Sequence, residues 1–262
     1  MMNKYKIILI LITLFSFQSL LALRLISTSP AITQTLDSLS LSNKVVGVSS
    51  YCKIDKKVSR VGTSFSLNWE RVLKLKPDYL LMQKVDDSNN LKKAKKLGVK
   101  VKEYEFLNVK TLRTSILKLG KDFSVDTKKI ISKFDDQVTM LKKINFNKKV
   151  LAVISLNEKM GEVVSVTAVG SNNYYDDLLN FSKTQNVVKR KGYPTLSVEK
   201  VLKLDVDYIF IFSPHLDKET EAKFKKITNK KVITWRDYES QEVGSLFIKF
   251  MRSYYEKLSS QV

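Results

Sequence analysis

A chain of 262 residues, 44% of them hydrophobic, can form one large domain or two small ones with buried cores. Lysine and arginine (46 residues) outnumber aspartate and glutamate (26 residues), which gives a formal net charge of +20 at pH 7. Such a basic chain invites comparison with nucleic-acid-binding proteins, but it has no RNP-like, zinc-finger or helix-turn-helix signature. The lysines are scattered along the chain, so we expect a lysine-rich surface and no nucleic-acid ligand.

Side chains with reactive chemistry are scarce. The chain has one cysteine, Cys52, and one histidine, His215, which excludes an internal disulfide and a Cys/His zinc site. A Ser-His-Asp triad would have to use His215, which lies in a predicted loop. Neither a Walker loop nor a GxGxxG segment occurs. We therefore predict a protein that is not an enzyme, with no catalytic residue, no metal site and no cofactor.

The first 22 residues have the anatomy of a secretory signal peptide. Lys4 and Lys6 form a basic start, residues 7–17 form an apolar core, and cleavage is expected near Ala22. The apolar run is short for a membrane span of about 20 residues. No cysteine lies in the predicted cleavage region directly after this run, so we expect an exported protein without a lipoprotein attachment point.

Strands and helices alternate from residue 23 to residue 125, which we predict to be the N-terminal lobe. This alternation favours a mostly parallel sheet covered by helices. The expected order is a strand at 23–27, a helix at 29–39, a strand at 45–48, an irregular segment at 49–65, a helix and strand within 67–82, a helix at 91–97, a strand at 99–104 and a helix at 109–119.

One helix–strand unit occurs twice. Residues 67–82 (LNWERVLKLKPDYLLM) return at 196–211 (LSVEKVLKLDVDYIFI) with eight identical positions, among them Glu70/Glu199 and Asp78/Asp207. Asn68 and Ser197 are good N-caps, and the apolar runs that follow are typical of buried strands. A unit repeated once at this wide spacing is not a solenoid. It indicates two similar lobes.

Residues 126–145 are predicted to form one long connecting helix. Ile130, Phe134, Val138 and Leu141 recur at spacings of four and three, as on the buried face of a helix. At 1.5 Å per residue, a helix from 126 to about 144 is roughly 28 Å long. It falls between the two copies of the repeat, which indicates a rigid spine and not a flexible linker.

Residues 146–262 are predicted to be a C-terminal lobe of the same kind. The expected elements are strands near 149–155 and 163–166, a helix at 172–181, the helix and strand of 196–211, a helix at 218–226, a strand at 232–235 and a closing helix at 241–258. The predicted fold class is thus α/β, with mainly parallel sheets, a single long helix between two lobes, and a ligand cleft lined by loops of both.

Several segments resemble one family of transport proteins. They are 24–39 (RLISTSPAITQTLDSL), 45–51 (VVGVSSY), 60–62 (RVG), 68–70 (NWE), 76–78 (KPD), 192–194 (GYP) and 197–199 (SVE). In this order they look like the substrate-binding proteins of ABC importers for vitamin B12 and iron-siderophores. The 45–51 segment and the Asn-x-Glu helix start are most similar to the cobalamin-binding branch.

The resemblance implies two Rossmann-like lobes on a rigid helix that close only slightly around a ligand. It also implies that Glu70 and Glu199, one at the tip of each lobe, dock on arginines of a dimeric membrane permease. A carboxylate in a first helical turn stays exposed and can accept paired arginine hydrogen bonds. Without that partner, each glutamate would only complement its helix dipole.

The resemblance places the ligand contacts on loops that face the cleft. The implied contacts are aromatic or polar, namely Tyr51, Phe65, Tyr193, Asp237 and Tyr238. Flat aromatic faces suit a corrin ring or a catecholate. Where cobalamin-binding relatives carry tryptophan, this chain has Gln83 and Lys84, so lysines and arginines at 84, 189–191 and 236 are alternative contacts for an anionic siderophore. We interpret Cys52 as a buried spectator.

The sequence therefore predicts a monomeric periplasmic solute-binding protein. It would capture a corrinoid or an iron-siderophore-type chelate and deliver it to an ABC permease. Two other classes stay open from the sequence: an envelope-associated enzyme, and a protein that binds anionic glycan or lipid on the same scaffold. Catalytic residues in the cleft would favour the first, and one continuous lysine face would favour the second.

Overall fold

Short buried strands flanked by amphipathic helices form two sheets in the computed structural model, which describes residues 23–84, 89–242 and 244–261. The predicted signal peptide at 1–22 lies outside the described residues. No helix within these ranges is long and apolar enough to cross a membrane. The predicted α/β fold class is confirmed.

The first sheet has five parallel strands in the order β3-β2-β1-β4-β5. The strands are β1 (Leu25–Ser27), β2 (Val45–Val48), β3 (Ser59–Arg60), β4 (Tyr79–Gln83) and β5 (Val101–Tyr104). The helices of this half are α1 (Pro30–Ser38), α2 (Trp69–Lys74), α3 (Asn89–Lys96) and α4 (Val109–Phe123). Because all five strands run in one direction, the loops after their carboxyl ends lie along one edge of the sheet.

The second sheet contains both parallel and antiparallel strand pairs. Its order is β11-β10-β6-β7-β9, and β8 pairs with the start of β6. The strands are β6 (Lys149–Lys159), β7 (Glu162–Ala168), β8 (Gln185–Asn186), β9 (Thr195–Ser197), β10 (Tyr208–Phe212) and β11 (Lys231–Trp235). Strands β6, β10 and β11 are parallel, whereas β7 is antiparallel to both β6 and β9. Met160 and Gly161 make the tight turn of the hairpin, both with positive φ (52° and 79°).

Two helices of the second half, the one predicted at 172–181 and the closing helix, start later than predicted, whereas the helix predicted at 218–226 starts where expected. The helices of this half are α6 (Tyr174–Phe181), α7 (Val198–Leu202), α8 (Lys218–Thr228) and α9 (Phe247–Ser259). The closing helix was expected from residue 241, but residues Tyr238–Gln241 form a separate 3-10 turn. Trp235 is fully buried in the core at the end of β11.

The connecting helix is α5 (Lys128–Leu141), shorter at both ends than the predicted helix. Helix α4 before it continues through Gly120, the residue predicted to end it, and stops at Ser124 in the left-handed conformation (φ 53°). A Cβ atom at Gly120 would lie 2.3 Å from Thr127 Cγ2. Gly120 therefore permits close packing between α4 and the start of the connecting helix.

One hydrophobic core extends through both halves of the molecule. It joins Leu25 and Leu81 of the first sheet, Phe134 of the connecting helix, and Phe210 and Phe212 of the second sheet. Two smaller clusters cover the opposite faces of the two sheets. Because moving the two halves far apart would expose this shared core to water, we expect only small relative motions between them.

Candidate functional site

A cleft of about 480 Å³ lies between the two lobes, at the carboxyl ends of the parallel strands. From the first lobe it is lined by the residues after β1, the loop after β2, the end of β4 and the loop after β5. From the second lobe it is lined by the start of α6, the loop before β9 and the segment before α9. The predicted cleft between lobes is thus present, and loops of both lobes form its walls.

A second cavity of about 410 Å³ adjoins this cleft inside the second lobe. The two cavities share Tyr174, Tyr193, Gln241 and Glu242. The walls of the second cavity are mostly apolar, with the aromatic rings of Tyr175 and Phe247 among them. The interlobe space is therefore concave and largely apolar, with a few polar groups that can orient a ligand.

Tyr51 and Tyr193 are the predicted contacts that the fold brings to the cleft. Tyr51 belongs to the turn after β2 and is 69% exposed. Tyr193 comes from the other lobe, with its ring edge-on to Tyr175 at 6.3 Å between centroids. Although Tyr193 is 43% exposed, burial raises the pKa of its hydroxyl to about 12, so the phenol is neutral at pH 7. Each lobe thus contributes one of the predicted phenols to the same space.

The other three predicted contacts lie elsewhere. Phe65 is 88% exposed in the loop before α2 and is not among the described residues that line the cleft. Tyr238 lines a smaller cavity of about 180 Å³ beside the cleft, with Lys53 Nζ 4.0 Å from its ring centroid. The carboxylate of Asp237 accepts a hydrogen bond of 2.8 Å from Ser253 Oγ on α9.

Tyr174 is a cleft residue that the sequence analysis missed. It is only 4% exposed and lines both adjoining cavities. Its hydroxyl has no hydrogen-bond partner among the described residues, and burial holds its pKa well above the ordinary tyrosine value. A buried hydroxyl without a partner is unusual in a native protein, and the residue that carries it belongs to the walls of both cavities. The sequence shows Tyr174 only as one of two tyrosines at a helix start.

Polar contacts join the lobes at one side of the cleft. Glu242, before α9, accepts a hydrogen bond from Gln34 Nε2 on α1. Lys53 Nζ lies 3.7 Å from the other oxygen of the same carboxylate. Lys53 and Glu242 both line the cleft, so a ligand with a charged edge would meet this pair.

Cys52 and Arg236 form contacts with other side chains of the protein. Cys52 is buried, with its Sγ 3.1 Å from Ser49 Oγ, as expected for a spectator. Arg236, an alternative anion contact, is paired with Glu221. Within the described ranges no group of histidine, cysteine, aspartate and glutamate side chains could hold a metal ion.

Glu70 and Glu199 occupy equivalent places in the two lobes. Both are exposed in the first turn of a short helix, α2 and α7. Asn68 caps α2 by accepting from the backbone N–H of Arg71 at 2.9 Å, and Ser197 caps α7 by accepting from that of Lys200 at 3.3 Å. The repeat in the sequence therefore gives two similar exposed carboxylates on two similar helices.

Comparison with known proteins gives a consistent assignment. The periplasmic binding protein family matches residues 25–238. The high-affinity heme uptake system protein IsdE of Staphylococcus aureus is 28% identical over 228 residues, which cover 83% of this chain and 75% of IsdE.

Solved structures agree on the fold. The periplasmic heme-binding protein HutB of Vibrio cholerae superposes with a TM-score of 0.73 at 18% identity, over 90% of this chain and 99% of HutB. The periplasmic vitamin B12-binding protein BtuF of Vibrio cholerae gives 0.65 at 19% identity, over 90% and 96%. The chain belongs to the periplasmic binding protein family and is a substrate-binding protein of the ABC importers for iron-chelate and vitamin B12-type ligands.

Proposed function

We propose that this protein captures a flat iron chelate of the haem type in the interlobe cleft and delivers it to an ABC permease. The observation that carries the proposal is the pair of phenols, Tyr51 and Tyr193, that line the same cleft from opposite lobes. IsdE, named as a heme uptake system protein, and HutB, named as a heme-binding protein, support this choice of ligand. A corrinoid and a ferric siderophore, predicted from the sequence, are the alternative ligands.

The side chains of the cleft suit ferric iron in a flat macrocycle. A tyrosine phenolate is a known protein ligand of haem iron. Aromatic rings at Phe106, Tyr174 and Phe247 offer apolar faces for a porphyrin, and Lys53 offers a cation for an acidic edge. The two cavities, about 480 and 410 Å³, fall in the usual size range of ligand pockets, about 300–1,000 Å³.

A phenol that binds iron must lose its proton. Since the pKa of Tyr193 is about 12, coordination by this residue would release a proton, and affinity would rise with pH below that value. Tyr51 lies in a more exposed position in the opposite wall. Comparing the variants Tyr51→Phe and Tyr193→Phe identifies which phenol binds the iron.

The test is a titration of the purified protein lacking residues 1–22 with ferric haem, cyanocobalamin and a ferric siderophore, followed by absorbance. We expect haem to bind, with a tyrosinate-type spectrum that is lost in Tyr51→Phe or Tyr193→Phe. Tyr255→Phe, on the half-buried side of α9, is the matched control and should keep the spectrum. Tight binding of cyanocobalamin or the siderophore instead of haem would contradict the proposed ligand and favour that alternative.

The remaining parts of the proposal concern the export of the protein, its oligomeric state and the delivery of the ligand to the permease. We propose that Glu70 and Glu199 dock on a dimeric permease, that residues 1–22 are a signal peptide cleaved near Ala22, and that the exported protein works as a monomer without catalysis. The similar positions of the two glutamates on capped helices support the docking role. N-terminal sequencing of the secreted protein tests the cleavage site directly.

A further inference from the structure

A second concave site lies where the two lobes and the connecting helix meet. We call it the hinge groove, a space of about 600 Å³ lined by three segments: 38–40 at the end of α1, 125–133 at the start of α5 and 245–249 at the start of α9. It shares no lining residue with the chelate cleft. Nothing in the proposed transport function uses this groove.

The floor of the hinge groove is apolar. Leu39 and Ile248 are buried there, and Val125, Ile130 and Leu246 are half-buried. Several of these apolar side chains remain partly exposed in a concave space. Covering them with another apolar group would remove their surface from water, which is favourable in free energy. The floor thus suits a hydrocarbon chain.

The rim of the hinge groove is basic. Lys129 and Lys133 are exposed, one helical turn apart on α5, and neither forms an ion pair with any described residue. Like charges at this spacing repel each other, so an anion between them would be stabilised. Lys249 adds a third cation, 3.9 Å from Glu239.

Among the described residues that line the same groove, Asp126 is the one carboxylate. Asp126 already accepts a hydrogen bond of 2.8 Å from the backbone N–H of Lys128, which engages one of its oxygens at the start of α5. Because Lys249 is paired with Glu239, the rim charge comes from Lys129 and Lys133, which outnumber the single aspartate and leave the rim positively charged. The groove therefore combines an apolar floor with an anion-binding rim.

We propose that the hinge groove binds a single-chain fatty acid, with the carboxylate between Lys129 and Lys133 and the chain along the apolar floor. A small inorganic anion would leave the floor uncovered, and a neutral hydrocarbon would leave the lysines unused. A flat membrane surface would not enter a concave groove. A single acyl chain with one negative end satisfies both parts of the site.

The experiment is calorimetric titration of the purified protein with laurate, alongside its neutral analogue dodecanol. The test variant is Lys129→Ala/Lys133→Ala, which keeps the floor intact. The matched control is Lys95→Ala/Lys96→Ala, which removes the same charge from the exposed face of α3 in the first lobe. We expect laurate affinity to fall about tenfold in the test variant and to stay unchanged in the control. Dodecanol should bind the unaltered protein more weakly than laurate and should not respond to either substitution.

Two further experiments distinguish laurate binding in the hinge groove from binding elsewhere on the protein. Ile130→Gln, at the floor, should weaken both laurate and dodecanol, with circular dichroism showing that the helix is retained. Saturating the chelate cleft with haem should leave laurate binding intact. The proposal is overturned if the lysine variants bind laurate equally, if haem displaces laurate, or if the protein binds only vesicles of anionic phospholipid.

Discussion

The carboxylate of Asp177 on α6 accepts a hydrogen bond of 2.7 Å from the backbone N–H of Val109, the first residue of α4 in the other lobe. The first N–H groups of a helix have no partner within the helix, and a carboxylate is a favourable acceptor at this end. Next to it, Asn108 Nδ2 lies 3.4 Å from Asn172 Oδ1. A helix of one lobe is therefore capped by the other lobe, which fixes their relative position.

Asp177 makes this cap dependent on pH. Burial raises the pKa of Asp177, the hydrogen bond from Val109 opposes that effect, and the neighbouring Asp176 adds to it. Because the folded state holds the proton more tightly than the unfolded state, stability should fall as pH rises from the ordinary aspartate pKa of about 4 through the raised value. Asp177→Asn keeps an acceptor oxygen and removes the titration, so it should remove this decline.

Urea unfolding at pH 4 and pH 7 measures the effect of Asp177. Asp177→Ala loses the acceptor and should destabilise the protein by about 1 kcal/mol at pH 4, as the loss of a helix cap does. Identical pH profiles for the unaltered protein and Asp177→Asn would show that this carboxylate does not titrate in the fold.

Tyr174 and Tyr175 are adjacent, and their hydroxyl groups differ in their contacts. Tyr174 has a buried hydroxyl without a partner, whereas Tyr175 donates a hydrogen bond to the carbonyl oxygen of Ser240. Removing an unpaired buried hydroxyl relieves a desolvation cost, so Tyr174→Phe should stabilise the free protein by about 1 kcal/mol. Tyr175→Phe should instead destabilise it by about 1 kcal/mol.

Ligand binding adds a second readout for Tyr174. If its hydroxyl meets the ligand, Tyr174→Phe should weaken haem binding about tenfold although the free protein is more stable. Thermal unfolding with and without haem measures both quantities. A variant that is more stable and binds equally well would place the hydroxyl outside the ligand contacts.

Gly170 holds the loop that carries Tyr193. A Cβ atom at Gly170 would lie 1.8 Å from the carbonyl oxygen of Arg190, and its N–H donates to the carbonyl oxygen of Gly192 at 2.8 Å. Gly170→Ala must therefore displace the loop, at a cost of about 1–3 kcal/mol, and should weaken haem binding. Gly98→Ala is the control, because Gly98 has a positive φ (70°) but open space around it.

Comparing Gly170→Ala with Gly98→Ala distinguishes the effect of a steric clash from the effect of backbone strain. Gly98→Ala should cost about 1 kcal/mol through its left-handed backbone and leave haem affinity unchanged. Urea unfolding and haem titration of both variants give the comparison. Unchanged haem affinity in Gly170→Ala would mean that the loop position does not control the site.

Glu70 and Glu199 provide a test of delivery. Glu70→Lys/Glu199→Lys should abolish uptake in cells that carry the cognate permease, since lysine repels the arginines expected there. Haem affinity should not change, because neither glutamate lines the cleft. Glu162→Lys/Glu219→Lys, at exposed positions of the second lobe, is the charge-matched control. Normal uptake by the first variant would contradict the docking role.

The sequence determined those features that depend on near neighbours along the chain. The repeat, the caps at Asn68 and Ser197, and the alternation of helices with buried strands predict the α/β fold, because capping and periodicity are local effects. The exposure of Glu70 and Glu199 follows in the same way from their place in a first helical turn. The family resemblance and the local patterns predict the same fold, because both are found in short segments of the sequence.

The tertiary structure decided which of the predicted contacts share a space. Tyr51 and Tyr193 line the same cleft although 142 positions separate them, whereas Phe65 does not line it and Lys53 lies over the ring of Tyr238 in a side cavity. The antiparallel hairpin of β6 and β7, the unpaired hydroxyl of Tyr174 and the cap that Asp177 gives to α4 also depend on long-range packing. Local sequence patterns specify a residue's element and face, but contacts between distant segments depend on how the whole chain packs.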